Sequence, residues 1–304
     1  MKKNTKTLVT GGSGFIGSHL VEELVRKKHQ VTVVDNLSSG HIKNLKSVKK
    51  KIKFINCDIS KIKLKKLLTD FDYVFHLAGL SKVVESFNKP KKYYKTNVLG
   101  TLNLLNSIKK SKIKKFVYAA SASCYGRPKN IPTSERDHIK LLSPYAQTKW
   151  RAEKIIMRRA RKNKLPAISL RLFNVYGPRS AATSSYSSVI SIFYKKKKKN
   201  KPLTIVGDGL QSRDFVYVTD VVDAMVRAAQ SNLSNQIFNV GTQKKVNINK
   251  IANIFLCKKI YIPKRKGEIE HSLANINKIK RMLKWNPKIK IADGIKLLLK
   301  HRTP

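Results

Sequence analysis

Runs of apolar, β-branched residues recur at strand length through the first half of the chain, and longer stretches with helical spacing separate them. The strand-like runs cover residues 7–10, 31–35, 52–57, 73–77, 116–120 and 167–172. The apolar positions follow a helical period over residues 15–27, 93–110 and 145–162. Because continuous apolar strands that alternate with helices are typical of parallel sheets covered on both faces, the pattern predicts an α/β fold with a doubly wound parallel sheet.

The second half of the chain is less regular. A serine-rich stretch at residues 180–188 precedes another helical segment, and strand-like runs at 203–209 and 237–240 flank a helix that begins near Thr219. The loosened pattern predicts two domains. The first is formed by residues 1–172 with about 205–240, and a smaller, discontinuous C-terminal lobe is formed by residues about 173–204 and 241–304.

Composition narrows the possible classes of protein. The chain has 304 residues with 41% hydrophobic content, which is enough for a full core. It lacks an apolar run of about 18 residues and a signal-peptide cleavage site, so we expect neither a membrane span nor export. Cys57, Cys124 and Cys257 lie far apart without a CxxC pair, which argues against a disulfide framework and a metal site. We therefore expect a cytoplasmic protein that holds no metal.

The charge is unusually positive, with 65 lysines and arginines against 17 acidic residues and a formal net charge of +48. Taken alone, this balance would favour a nucleic acid or an anionic membrane as partner. The lysines are scattered, however, with runs only at residues 49–51 and 195–199 and no interleaved aromatics of the kind that stack on bases. We interpret them as a solvated surface without specific nucleic-acid binding. A loose attraction to polyanions or to anionic lipid surfaces stays open.

A glycine-rich loop, TGGSGFIG at residues 10–17, follows the first predicted strand and opens the first helix. Gly11 and Gly14 permit a tight turn and a close approach to a pyrophosphate, and Gly17 permits close helix packing. The helix start offers free N–H groups to the phosphates. Asp35 ends the second strand, where a carboxylate binds ribose hydroxyls and repels a 2′-phosphate. The combination predicts a Rossmann-type sheet that binds NAD in preference to NADP.

Asp58 and Ile59 follow the third predicted strand, where they are expected to lie beside the adenine. An aspartate at this place can also serve only as a turn residue or a helix N-cap, so both roles for Asp58 stay open.

A second chemical signal is the segment Tyr145-Ala-Gln-Thr-Lys149, which follows the fifth predicted strand. A spacing of four places both side chains on one helix face. A free tyrosine has a pKa of about 10, and a nearby ammonium stabilises the phenolate and lowers that pKa. Ser121 ends the fifth strand, where its hydroxyl can bond a reacting oxygen. We expect Tyr145 to act as the general base.

Taken in order, these motifs resemble the extended short-chain dehydrogenase/reductase family, and within it the NAD-dependent nucleotide-sugar epimerases and dehydratases. The resemblance covers nearly the whole chain and rests on TGGSGFIG, Asp35-Asn36, HLAG (76–79), KTNVLGT, SASCYG, YAQTK, RLFNVYGPR (171–179), GDGLQSRDFVYVTDVV (207–222), FNVGT (238–242) and KGEIEHSLANI (266–276). It implies a nucleotide-sugar substrate, UDP-linked before others, and a homodimer.

The resemblance also implies which residues act. The catalytic set would be Ser121, Tyr145 and Lys149. The NAD site would be lined by Gly11, Gly14, Phe15, Ile16, Asp35, Asn36, Asp58, Ile59, Leu77, Ala78, Asn97, Tyr145 and Lys149. The nucleotide-sugar contacts would be Ser121, Asn174, Arg213, Arg265 and Ser272, in which the arginine forks suit diphosphate oxygens.

Within the family, dehydratases carry an acidic pair in the slots of Ala122 and Ser123, and uronate decarboxylases a glutamate in the Ser123 slot. This chain has neither acid, which favours epimerisation at C4 of UDP-glucose and UDP-galactose or of the N-acetylhexosamine forms. A dehydratase, a 4-keto reductase, which would prefer NADPH, and a basic RNA-binding or regulatory relative of the fold are the alternatives.

We expect the size of the accepted sugar to depend on the segment His271-Ser272-Leu273-Ala274-Asn275. This segment resembles the stretch that, in UDP-hexose 4-epimerases, forms the wall of the sugar pocket near the C2 substituent. A bulky aromatic is typical of enzymes restricted to UDP-glucose and UDP-galactose, and Ser272 stands in its slot. A serine would leave room for an N-acetyl group. The chain departs from the family pattern at Cys124, Lys266 and Asn275, so Ser272 as a plain loop residue stays an alternative.

Overall fold

A computed structural model describes residues 5–61, 70–108, 113–162, 164–180, 188–264 and 269–301. The chain divides into two compact units. The first comprises Met1–Cys124, Leu141–Arg171 and Val222–Phe238, and the second comprises Tyr125–Lys140, Leu172–Val221 and Asn239–Pro304.

The strands are β1 Lys6–Thr10, β2 Gln30–Asp35, β3 Ile52–Asn56, β4 Tyr73–His76, β5 Lys115–Ser121, β6 Ala167–Leu172, β7 Asn174–Tyr176, β8 Leu203–Val206, β9 Ser212–Arg213, β10 Phe215–Tyr217, β11 Gln236–Val240, β12 Val246–Asn247 and β13 Lys259–Ile262. The helices are α1 Phe15–Arg26, α2 Val83–Asn88, α3 Pro90–Tyr94, α4 Gly100–Ser107, α5 Pro144–Lys162, α6 Val189–Lys198, α7 Val218–Gln230, α8 Ile248–Phe255, α9 Asn277–Leu283 and α10 Ile291–Lys300. A π-helical segment, Lys95–Leu99, joins α3 to α4.

Seven strands form a parallel central sheet in the order β11-β6-β5-β4-β1-β2-β3, which confirms the predicted α/β, Rossmann-type, doubly wound class. The register pairs Val9 with Val33 on one side and with Phe75 on the other. All three side chains are fully buried, because helices cover both faces of such a sheet. The strand order reverses beside β1, and the carboxyl ends of the strands at such a point form the crevice where this fold binds dinucleotides.

The helix predicted over residues 93–110 is interrupted by the π-helical segment, which places Asn97 and Val98 inside the protein. The Thr101 hydroxyl donates to the Asn97 carbonyl oxygen at 2.6 Å. This bond competes for an acceptor that a regular helix gives to a backbone N–H, and such local competition is a known cause of helix irregularity.

The second unit is built from three small strand pairs, β7 with β10, β9 with β12, and β8 with β13. The segments of this unit differ from those predicted for the C-terminal lobe, because residues 125–140 and about 205–221 also belong to it. Thr133 explains the first difference, since its N–H bonds the Leu273 carbonyl and its carbonyl accepts from Asn275 N, both at 2.8 Å. The parallel pairing of β10 with β7 explains the second.

Among the helices that lie within the described ranges, none combines the length and the apolar character that crossing a membrane requires.

Candidate active site

The glycine loop of the first unit has a shape that only glycine permits at two positions. Gly11 has φ of +73°, and a Cβ there would lie 2.6 Å from the backbone nitrogen of Ala78. A Cβ at Gly17 would lie 2.1 Å from the carbonyl oxygen of Gly11. The segment of Leu77 and Ala78 therefore packs directly on the loop, with the Leu77 N–H bonded to the Thr10 carbonyl at 3.0 Å.

The amino end of α1 is open toward this loop. Gly14 is its N-cap and provides no capping side chain, and Phe15 and Ile16 begin the first turn with partly exposed positions. The positive end of the helix dipole and the backbone N–H groups of that turn suit a pyrophosphate. A Cβ at Gly14 would meet only the Gly11 carbonyl oxygen, at 3.2 Å, so the space above it is free of packed side chains.

Asp35, at the end of β2, holds the loop in place. One carboxylate oxygen accepts from Ser13 N at 3.0 Å, and the other accepts from Leu37 N at 2.9 Å. Each oxygen keeps a lone pair for a ribose hydroxyl. Asn44 also bonds the loop, donating from its side-chain amide to the Ser13 carbonyl at 2.8 Å. These contacts leave Asp35 able to bind a ribose hydroxyl, and a buried carboxylate at the end of the second strand of this fold disfavours the 2′-phosphate of NADP.

Asp58 closes a turn, which is the alternative that the sequence left open. Its Oδ1 accepts from the Ser60 N–H at 2.8 Å and the Ser60 hydroxyl at 2.7 Å, and its Oδ2 accepts from Asn36 at 3.2 Å. Burial raises the pKa of Asp58, but these bonds outweigh burial and leave the pKa below its ordinary value. Ile59 is buried against Gly100, where an added Cβ would lie 2.8 Å from Ile59 Cγ1.

Asn97 ties the loop after β4 to helix α5. Its Oδ1 accepts from Leu80 N at 2.8 Å, and its Nδ2 donates to the Leu80 carbonyl and to the Thr148 hydroxyl, both at 3.1 Å. Both ends of the amide are thus used, which fixes its orientation beside the predicted cofactor residues.

The first unit brings together Ser121, Tyr145 and Lys149. Ser121 ends β5, and its hydroxyl accepts from Ser123 N at 3.2 Å. A hydrogen bond joins Ser121 to the Tyr145 side chain. Burial raises the pKa of Tyr145 and the bond with Ser121 lowers it only in part, so the net pKa lies above the ordinary value. The predicted net lowering of the Tyr145 pKa is therefore corrected: desolvation is the dominant effect in this arrangement.

Lys149 is buried, and its ammonium donates to the Ala119 carbonyl at 2.6 Å. The same nitrogen lies 4.4 Å from the centre of the Tyr118 ring. Burial lowers the pKa of Lys149 to about 7, with the Glu153 carboxylate acting in the opposite direction. The charge of this lysine consequently changes near neutral pH, which suits a group that shares a proton with a catalytic phenol.

Three of the predicted sugar-nucleotide residues lie together in the second unit, around the strand Ser212–Arg213. Asn174 donates from its backbone and its side chain to the Asp214 carbonyl, at 3.1 and 3.2 Å. The backbone N–H of Ser272 bonds the Ser212 carbonyl at 3.1 Å. Arg213 extends beside them, bonded to the carbonyls of Ser212 and Glu270 at 2.9 and 3.2 Å. The predicted Arg265 lies outside the described residues.

The family model of the NAD dependent epimerase/dehydratase family matches residues 7–241. The chain belongs to this family. It is similar to a putative UDP-glucose 4-epimerase of Methanocaldococcus jannaschii, at 38% identity over 95% of each chain. It is also 32% identical to a UDP-N-acetyl-alpha-D-glucosaminuronate decarboxylase of Bacillus cytotoxicus, over 97% of this chain and 96% of the relative.

Among solved structures, the chain resembles a UDP-N-acetylglucosamine 4-epimerase from Methanobrevibacter ruminantium in complex with UDP-N-acetylmuramic acid. The TM-score is 0.93 and the identity 35%, over 98% of both chains. As a member of the NAD-dependent epimerase/dehydratase family the protein is an enzyme, and NAD is its cofactor.

Sequence reasoning missed two buried charged groups of this family member. In the first unit, Glu153 accepts from Arg171 at 2.7 to 3.2 Å and from the Ser169 hydroxyl at 2.8 Å. In the second unit, the Asp214 carboxylate accepts from the Thr242 N–H and hydroxyl, at 2.7 and 2.6 Å. A signal for the first existed: Glu153 follows Lys149 by one helical turn, and Ser169 and Arg171 interrupt a strand whose other residues are apolar.

Proposed function

We propose that this enzyme interconverts a UDP-hexose and its C4 epimer through a transient 4-keto sugar, and that it accepts the N-acetylated hexosamines. The hydrogen-bonded pair of Ser121 and Tyr145 beside a lysine whose pKa is about 7 carries the proposal. The absence of an acid at positions 122 and 123 supports it, because water elimination and decarboxylation in the family depend on acids in those slots. The named relatives support UDP-sugar chemistry.

In this mechanism Tyr145 takes the proton of the sugar 4-hydroxyl, and Ser121 bonds the same oxygen and keeps it in line. Bound NAD supplies the hydride acceptor and donor at C4. Lys149 stabilises the phenolate while the proton is away, and Tyr145 returns the proton when the sugar is reduced on its other face. Positioning and proton transfer are the contributions of the protein, and general-base catalysis of this kind is worth about 100-fold or more.

The proposed diphosphate contacts are Asn174 and Arg213, with Arg265 as a further prediction from the sequence. Tight binding of the nucleotide and loose binding of the keto sugar would let the sugar turn before reduction, as differential binding requires. A guanidinium such as that of Arg213 suits phosphate oxygens because its planar fork can bond two of them.

The test is incubation of the purified enzyme with separate UDP-, dTDP- and GDP-sugars, with inversion at C4 followed by proton NMR. We expect UDP-glucose and UDP-GlcNAc to reach equilibrium with their C4 epimers, and Tyr145→Phe to be inactive with both. A UDP-hexuronate is included because of the decarboxylase relative. Release of carbon dioxide from that sugar without epimerisation of the others would replace the proposal with decarboxylation.

We also propose a homodimer that forms through α2, α3 and the π-helical segment. Large apolar side chains are exposed there, namely Val83, Phe87, Tyr94 and Leu99, at 39 to 56%. The neighbouring side chains Lys91, Lys95 and Arg151 are basic, and the acidic Glu85 of α2 is already paired with Lys82 and Lys89. Two copies would repel each other at low salt, so sedimentation should show association that strengthens with salt. Leu99→Ser should weaken the association, and Leu256→Ser, at an 84% exposed position, should not.

The free thiols of Cys57, Cys124 and Cys257 and the use of NAD and a nucleotide sugar support the proposal of a cytoplasmic enzyme.

A further inference from the structure

His76, the last residue of β4, is fully buried and takes part in a chain of hydrogen bonds. Its Nδ1 lies 2.7 Å from the Thr10 hydroxyl, and its Nε2 lies 2.8 Å from the Thr101 hydroxyl. The Ala78 N–H donates to the Thr10 hydroxyl at 3.3 Å, and the Thr101 hydroxyl donates to the Asn97 carbonyl at 2.6 Å. The chain thus runs from Ala78 to Asn97 through one imidazole ring.

The directions of these bonds determine the form of the imidazole. Thr101 gives its only proton to Asn97, so toward His76 it can only accept, and Nε2 must carry a hydrogen. A neutral ring then has a bare Nδ1, which accepts the proton of Thr10. Burial, together with the smaller effect of the Lys149 charge, lowers the pKa of His76 to about 3. The ring is therefore neutral at physiological pH, with its hydrogen on Nε2.

The two ends of this chain of hydrogen bonds lie beside the glycine loop and near Lys149. At one end, Ala78 N is the atom that a Cβ on Gly11 would meet at 2.6 Å. At the other, Asn97 bonds Leu80 and Thr148. Between them, a Cβ on Gly79 would lie 3.0 Å from Asn97 Oδ1 and 4.0 Å from Lys149 Nζ. The loop at residues 77–80 is thus held beside both the glycine loop and the Lys149 ammonium.

A second contact connects the imidazole to Lys149. The His76 and Tyr118 rings lie 5.4 Å apart with an interplanar angle of 30°. The Tyr118 ring also faces the ammonium of Lys149 at 4.4 Å. A charged imidazole here would place a second buried cation near Lys149, so the neutral form is required by the same surroundings that hold the lysine.

We propose that His76 is a positioning residue. Its neutral ring, bonded to Thr10 and Thr101, fixes the spacing between the glycine loop, the loop at residues 77–80 and Asn97. This spacing holds NAD and Lys149 in the relative positions that catalysis requires. Nothing in this role requires His76 to touch the sugar or the cofactor. It depends on NAD binding and is independent of which sugar the enzyme accepts.

The structure offers an unusually close control for testing this role. Thr7, on the same strand β1, bonds His29 Nδ1 at 2.8 Å, and both side chains are buried. Replacement of Thr7, Thr10 or Thr101 by valine keeps the shape and removes one threonine–histidine bond. Thr10→Val also removes the acceptor of the Ala78 N–H, and Thr101→Val also removes the donor to the Asn97 carbonyl, because both bonds belong to the same chain of hydrogen bonds. The readouts are the rate at which NAD dissociates from the holoenzyme, the turnover number and the midpoint of thermal unfolding.

We expect Thr10→Val and Thr101→Val each to speed NAD dissociation and to slow turnover by about fivefold or more, the scale expected when buried hydrogen bonds are lost. Thr7→Val should lower the midpoint of thermal unfolding about as much as Thr10→Val and Thr101→Val do. It should leave the rate of NAD dissociation and the turnover number within about twofold of wild type. Thr101→Ser, which keeps the hydroxyl, should behave as wild type in NAD dissociation. Rates in Thr7→Val that change as much as those in Thr101→Val would overturn the proposal.

Equal damage from Thr101→Ser and Thr101→Val would also overturn it, because packing rather than the hydrogen bond would then be responsible. Should a valine variant not fold, Thr101→Ser, Thr7→Val and the separate variant His76→Phe decide the matter, since loss of the imidazole nitrogens must speed NAD release. NAD dissociation needs no sugar turnover, so this result stands apart from the outcome of the UDP-sugar test.

Discussion

The ammonium of Lys149 lies over the ring of Tyr118, 4.4 Å from the ring centre, and donates to the neighbouring Ala119 carbonyl at 2.6 Å. Strand β5 therefore supports Lys149 with an aromatic face and a backbone oxygen from adjacent residues. The arrangement keeps a buried ammonium in place while its pKa is only about 7. Cations are attracted to aromatic faces of this kind, and more strongly where water is excluded.

Tyr145→Phe should fold, keep NAD and lose about 100-fold or more in turnover, the scale expected for removal of a general base. Lys149→Met should shift the acid limb of the pH–rate profile to higher pH, because the phenolate loses a neighbouring cation and protonates more readily. Turnover as a function of pH in the two variants and wild type is the measurement. Near-normal activity of Tyr145→Phe would contradict the mechanism.

Lys149 should also make stability depend on pH. Its pKa is lowered by burial in the folded protein, so the unfolded chain binds the proton more tightly. The fold should lose stability as pH falls from the ordinary lysine pKa toward about 7, and the loss should level off below that pH. Lys149→Met should remove this pH-dependent loss of stability. The unfolding midpoint of the variant relative to that of wild type should therefore rise as pH falls from alkaline to neutral. Unfolding midpoints of the variant and wild type that change equally with pH across that range would contradict the assignment of this pH dependence to Lys149.

The choice of NAD over NADP should depend on Asp35. Asp35→Ala combined with Asn36→Arg should shift binding toward NADP, because the carboxylate no longer repels the 2′-phosphate and an arginine can pair with it. Asp35→Ala also removes the acceptor of the Ser13 and Leu37 N–H groups. Asp35→Asn with Asn36→Arg is therefore the control, since it removes the charge and keeps an acceptor. Tighter binding of NADP than NAD by the wild type would refute the role of Asp35.

Ser272 should set the size of the sugar. If it borders the C2 substituent, Ser272→Tyr should abolish epimerisation of UDP-GlcNAc and spare UDP-glucose, because a built clash rejects a ligand strongly. Ser272→Ala is the control, and it should retain activity with both sugars. The backbone bond of Ser272 to Ser212 survives either change. Equal effects of Ser272→Tyr on the two sugars would assign Ser272 to the loop alone.

The buried pair of Glu153 and Arg171 should matter more than any exposed pair. Both side chains are at most 5% exposed, so Glu153→Gln removes one charge of a buried ion pair, at a cost of about 3–5 kcal/mol. Glu23→Gln, which breaks the exposed pair with Arg26, should cost less than about 1 kcal/mol. Urea unfolding of both variants checks this. A cost for Glu153→Gln as small as that for Glu23→Gln would show that the pair is not effectively desolvated.

The sequence determined the fold class and the local chemistry, because both depend on short segments. Apolar strands separated by helices predict the parallel sheet, and the glycine loop, Asp35 and the four-residue spacing of Tyr145 and Lys149 are features of neighbouring residues. Where a single segment determines the local structure, as in the glycine loop after β1, the sequence pattern of that segment is enough to predict it. The family follows from the order of such segments.

Only the tertiary structure decided which groups lose their contact with water and which distant segments pair. Desolvation raises the pKa of Tyr145 and brings that of Lys149 near neutrality, and no local pattern carries the depth of burial. The pairing of Thr133 with residues 273–275 moves residues 125–140 into the second unit. The neutral form of His76 depends on hydroxyls 66 and 25 residues away in sequence. These outcomes depend on contacts made across the fold, which a sequence read segment by segment does not contain.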